Sequence, residues 1–187
     1  MPSRLNLERL LEPLTDQMER RLAFVGLLSQ ACESLRWAAP VVVGGHAVEF
    51  WTAGGYSTVD IDLVGASEPI GEVLDSWGFT RRGRHWYDDG LGLVVEAPGS
   101  QLSASEQERV VEVAVRGVTA RVLGIEDLII DRLNACVHWG HSESCDVARA
   151  LVVGGADHID HDYLIARAAK EDVTDALSPF LGEAGLS

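Results

Sequence analysis

From Asp16 to Trp37 the apolar residues Met18, Leu22, Val25, Leu28, Cys32 and Leu35 recur at three- and four-residue spacing, a period that predicts an amphipathic helix capped by Thr15 or Asp16. Pro40 ends the connection, and Val41 to Val43 reads as a short buried strand running into Gly44-Gly45. Helical character returns from His46 to Ala53 and stops at Gly54-Gly55. Between Thr58 and Val64 the period becomes two: Val59, Ile61 and Leu63 alternate with Asp60 and Asp62. A strand of that pattern turns its apolar side chains to the core and both carboxylates to the opposite face, and a slip of one residue would bury the aspartates.

Glu68 to Trp77 predicts another helix, followed by a basic segment, Thr80 to Trp86. The turn Asp88-Asp89-Gly90 then leads into a strand, Leu91 to Ala97, and the pair reads as a hairpin. Two more strands are expected at Gln107 to Val115 and Val118 to Leu123, joined at Arg116-Gly117. Gly124 to Trp139 is a helix signal with Glu126 and Asp127 in its first turn, and Cys145 to Val153, Asp160 to Lys170 and Glu171 to Leu181 complete a helical last third. This order predicts an α+β fold, a mixed β-sheet flanked by helices with a helical C-terminal extension. Residues 1–37 would pack an N-terminal helix on an α/β core of residues 38–124, with a helical region at 125–187. The length of 187 residues fits one compact unit.

Composition narrows the function. Apolar residues make up 47% without low-complexity tracts, so the chain folds. A formal net charge of −14 argues against a general nucleic-acid coat, whose affinity rests on neutralising phosphates. Charges at Arg4, Glu8, Arg9 and Glu12 break up any signal-peptide core, and no apolar run reaches the roughly 20 residues of a membrane span. The expectation is a cytoplasmic protein with no membrane partner. Cys32, Cys136 and Cys145, odd in number and irregular in spacing, read as buried small side chains rather than a disulfide framework.

The chemistry concentrates at Asp60 and Asp62. Residues two apart on a strand stand about 7 Å apart at the backbone on one face, so the two carboxylates can share an ion. Their mutual repulsion calls for a compensating cation. Gly44 and Gly45, lacking Cβ atoms, let the backbone approach phosphates at the start of the next helix. Other groups carry blander readings beside sharper ones. His46 reads as a phosphate contact or a local helix cap. Arg81, Arg82 and Arg84, interleaved with His85, Trp86 and Tyr87, read as an ordinary hairpin surface or a ledge for a nucleotide or RNA end. His138, His141, Cys136 and Cys145 have zinc-ligand chemistry without zinc-ligand spacing, and Asp157 to His161 is similarly weak.

The diglycine, the short helix and Ser57-Thr58-Val59-Asp60-Ile61-Asp62-Leu63 together resemble the nucleotidyltransferase superfamily, the polymerase-beta-like group. The segment Ile125 to Leu133, with Asp146 downstream, resembles small prokaryotic nucleotidyltransferase-like proteins related to toxin–antitoxin and abortive-infection systems. The resemblance covers roughly residues 38–153. It implies that Asp60, Asp62 and Glu96 bind Mg2+ or Mn2+ and act in catalysis, and that Gly44, Gly45, Thr58 and Arg132 contact a nucleoside triphosphate. Arg132 also reads as a structural partner of Asp131 or Asp146. The implied reaction moves a nucleoside monophosphate onto a hydroxyl of RNA, protein or a small molecule, with two metals about 3.5–4 Å apart. Gly55-Tyr56-Ser57 stands where such relatives often carry an arginine. That departure favours the alternative, a catalytically weak or inactive binding module, such as a toxin–antitoxin component with a cognate protein partner.

Overall fold

Ser3 opens the first helix, α1 (Arg4–Leu11), through a reciprocal capping box with Asn6. This helix is not among the predicted elements: its eight residues interleave leucines with Arg4, Glu8 and Arg9, which blurs the period. The long helix α2 (Gln17–Ser34) follows, and Asp16 caps it by accepting the Glu19 N–H at 2.7 Å. The computed structural model describes residues 1–98 and 101–186. By contact density the chain divides into two units, Met1–Ala47 with Ser57–Leu123, and Val48–Tyr56 with Gly124–Ser187.

The first unit holds a seven-stranded sheet: β1 (Val41–Val42), β2 (Ile61–Val64), β3 (Thr80–Arg82), β4 (His85–Asp88), β5 (Leu93–Glu96), β6 (Val111–Val115) and β7 (Val118–Val122). Their order is β3-β4-β5-β2-β1-β7-β6. The pairs β1–β7 and β2–β5 are parallel and the others antiparallel. The fold is therefore α+β, with a mixed sheet and flanking helices, as the order of elements predicts. Helix α2 packs on β7 and supplies the buried Leu22, Phe24, Val25 and Leu28. The Phe24 ring meets Trp77 edge-on at 6.2 Å and Phe79 at 5.7 Å. Trp77 ends α4 (Ser67–Ser76), and the fully buried Trp86 of β4 donates its indole N–H to Asp75 of that helix at 3.2 Å.

The structure corrects the sequence reading at four places in this unit. Strand β2 starts at Ile61, and Val59 is 76% exposed rather than part of the core. The segment Thr80 to Trp86 is two strands, because Gly83, at φ 65°, turns the chain between β3 and β4. Gln107 lies in a short helix, α5 (Ala104–Glu108), which Ser103 and Glu106 close with a capping box. Asp88 ends β4, the turn runs over 89–92, and β5 starts at Leu93 rather than Leu91. Asp88 is buried, accepts the Leu91 N–H at 2.7 Å and pairs with Arg4, which also donates to the Trp77 carbonyl at 2.9 Å.

Helix α3 (Gly44–Trp51) leaves the first unit and ends in the second. The second unit is otherwise helical: α6 (Ile125–Trp139), α7 (Ser142–Gly154), α8 (His161–Lys170) and α9 (Thr174–Ala184). Glu126 and Asp127 begin α6 as expected, but both are buried. Asp127 accepts from the Arg167 guanidinium at 3.0 Å and the Tyr163 hydroxyl at 2.9 Å, and Glu126 accepts the Asp160 N–H at 2.7 Å, so these carboxylates fasten α8 to α6. Cys136 and Cys145 form a disulfide across the α6–α7 turn, with Cα atoms 5.3 Å apart, which overturns the reading of three buried thiols. Cys32 does fit that reading: it is buried, and burial, with Glu33 adding to it, pushes its thiol up to about 11. Among the described residues no helix is long and apolar enough to cross a membrane.

Candidate active site

Sheet register builds the site. Asp62 lies opposite Glu96 in the parallel β2–β5 pair, and Glu96 lies opposite His85 in the antiparallel β4–β5 pair. Residues in cross-strand register share a face, so Asp62, Glu96 and His85 form one polar row across three strands. The adjacent row, Ile61, Val95 and Trp86, is fully buried and points the other way. A one-residue slip of any strand would exchange the two rows, which is why the apolar row holds the polar one in place.

Asp60 precedes β2 in a bend, half-buried, where its Oδ1 accepts the Thr58 hydroxyl at 2.9 Å. Asp62 reaches in another direction: its Oδ2 accepts the Gly45 N–H at 2.9 Å at the start of α3. The carboxylate thus sits at the positive end of the helix. Gly44 has φ 56°, and a Cβ there would overlap the Asp62 carboxylate; a Cβ on Gly45 would come 3.0 Å from the Thr58 hydroxyl. The diglycine makes room for Asp62 and Thr58.

Potential ligand atoms of Asp60, His85 and Glu96 all lie within 4.8 Å of one another. Asp62 does not join that group. The Glu96 side chain is 16% exposed, with Oε2 at 3.0 Å from His85 Nε2 and Oε1 at 3.0 Å from Arg84 Nε. Two carboxylates and an imidazole at this spacing suit a divalent cation, so the donor set fits the metal that the resemblance implies.

The remaining candidates have surroundings of their own. His46 is fully buried, and burial, reinforced by the charge of Arg21, pushes it down to about 4, so the imidazole is neutral at neutral pH. It is therefore no exposed phosphate contact. Trp86 is buried and cannot serve a ledge; Arg81 covers it at 4.8 Å, while Arg82 lies 5.4 Å from the Tyr87 ring. Arg132, in the second unit, donates to its neighbour Asp131 at 3.0 Å through Nε. The zinc-like residues separate as well: two are the disulfide, and His138 Nε2 contacts the Glu171 carbonyl at 3.0 Å.

Comparison with solved structures finds the antigenic nucleotidyltransferase-like protein from Paracoccidioides brasiliensis. It aligns over 90% of this chain and 93% of its own, with a TM-score of 0.56 at 15% identity, a likeness of fold. The antibiotic-resistance factor ANT(2'')-Ia aligns over 87% of this chain and 96% of its own at 17% identity, with a TM-score of 0.49, too low to bear on the fold. Comparison with curated proteins returned no match. The family model described as nucleotidyltransferase of unknown function (DUF6036) matches residues 23–179, and the chain belongs to that family.

Proposed function

We propose that the protein is a metal-dependent nucleotidyltransferase that moves a nucleoside monophosphate from a nucleoside triphosphate onto a hydroxyl acceptor. One observation carries the reading: Asp62 and Glu96 stand side by side in sheet register, with Asp60 at the strand entry and the diglycine turn beside them. Bound Mg2+ or Mn2+ would offset the charge that builds on the departing pyrophosphate. Asp60, Asp62 and Glu96 would hold it. Thr58 orients Asp60 through its hydroxyl. Glu96 accepts the proton of the acceptor hydroxyl as that oxygen bonds to the α-phosphorus and the bond to the β-phosphate oxygen breaks. Contacts of Gly44 and Gly45 with the triphosphate belong to the same proposal and rest on the resemblance.

A second reading has its own support. Both oxygens of Glu96 already face cationic or hydrogen-bonding partners, Arg84 and His85, and the Gly45 N–H is taken by Asp62. That arrangement favours a module that keeps the fold and transfers little or nothing. Incubating the protein with each of the four α-labelled triphosphates, divalent metal, and pools of RNA, protein and small hydroxylated acceptors separates the two. The transferase reading expects label in one pool and release of pyrophosphate. No label in any pool leaves the module.

A further inference from the structure

His85 and Glu96 face each other across the β4–β5 pair. These side chains come from neighbouring strands in register, His85 opposite Glu96, and their facing atoms, Nε2 and Oε2, are 3.0 Å apart. Two ligands at right angles around an ion with bonds of about 2.1 Å stand about 3.0 Å apart. Asp60 closes the triangle within 4.8 Å. The site is sheltered without being sealed: the Glu96 side chain is 16% exposed and that of His85 27%.

We infer that His85 is a metal ligand, which with Asp60 and Glu96 makes the site selective for a first-row transition ion over Mg2+. The inference rests on the proposed role of Asp60 and Glu96 and adds the nitrogen donor. Mg2+ is a hard ion that takes oxygen ligands and keeps its water, whereas an imidazole nitrogen suits Mn2+ and the ions that follow it in the series. Asp62 Oδ2 accepts the Gly45 N–H, and the donor that joins Asp60 and Glu96 within 4.8 Å is the nitrogen of His85. Arg84 lies on the other oxygen of Glu96 at 3.0 Å, and its side chain is 66% exposed, free to swing into solvent when an ion takes over the charge.

The test uses the full chain, stripped with a chelator and without nucleotide. Mn2+ is titrated in while the electron paramagnetic resonance signal of the free ion is followed, and Mg2+ is then added as competitor. Wild type is expected to bind Mn2+ at least tenfold more tightly than Mg2+ and to show nitrogen modulation in the spin echo of the bound ion. In His85→Ala, and in His85→Gln as a second variant should the first fold poorly, the nitrogen modulation disappears. Mn2+ affinity falls tenfold or more and that of Mg2+ changes less than threefold. Unchanged Mn2+ binding in a folded His85 variant overturns the inference, as does a wild type that does not discriminate. Asp60→Asn keeps the failures apart. If it abolishes binding while the His85 variants do not, only the role of His85 falls; if it too binds normally, the carboxylate site falls with it.

Discussion

Gly44→Ala is expected to lower the free energy of unfolding by about 3 kcal/mol, measured by urea denaturation. Two costs combine. An alanine at φ 56° loses about 1 kcal/mol relative to glycine. Its Cβ would also overlap the Asp62 carboxylate, which must move and give up the charge-assisted bond from the Gly45 N–H, worth roughly 1.5–3 kcal/mol. Because the second cost exists only while the Asp62 side chain is present, Gly44→Ala made in an Asp62→Gly background, which also removes the Cβ that would lie 2.9 Å away, should cost at least about 1.5 kcal/mol less than in wild type. Additive losses would mean that the glycine is there for another reason. The same displacement moves one of the three proposed metal carboxylates, so nucleotide binding should weaken along with stability.

Acid should remove about 3 kcal/mol of stability through His46 alone. The residue is held neutral at about 4 in the folded chain, first by burial and second by Arg21, against 6.5 when unfolded. Between those values the unfolded chain binds the extra proton and the native chain does not, so stability falls as pH falls from about 6.5 to about 4. Asp88 acts lower. Burial works against its charge, but the Arg4 hydrogen bond and the Leu91 amide outweigh it and hold the carboxyl below the usual range, so its contribution is lost only as pH drops through that lowered value. Denaturation at pH 7, 6, 5 and 4 checks the sign, and His46→Gln should flatten the curve across this window. A slope that survives in the variant assigns the effect to other groups.

Much of the fold was legible because burial writes itself into period. The alternation Ile61-Asp62-Leu63 set the register of β2, and the three- and four-residue spacing from Met18 to Leu35 set α2. The hairpin register was not legible. A turn centred on Asp89 would place Arg82 opposite Glu96, whereas the observed loop begins after Asp88 and places His85 there. That shift arises from a side chain: Asp88 stays in β4 because it accepts the Leu91 N–H and pairs with the distant Arg4, a contact no local pattern reports. Helix α5 is legible in principle, since Ser103 and Glu106 stand at capping-box spacing, but Val110, Val111, Val113 and Val115, which follow, carry a stronger strand signal. The disulfide could not be read from spacing; it depends on Gly140, at φ 71°, reversing the chain between α6 and α7.

In the proposed function the carboxylates beside the diglycine turn hold a cation that a nucleoside triphosphate needs for binding. Isothermal calorimetry of each triphosphate, with and without Mg2+ or Mn2+, on wild type and on Asp60→Asn/Asp62→Asn tests it most directly. Heat of binding that requires the metal and is absent in the double variant is expected. Equal binding by the two proteins, or binding indifferent to metal, would contradict it.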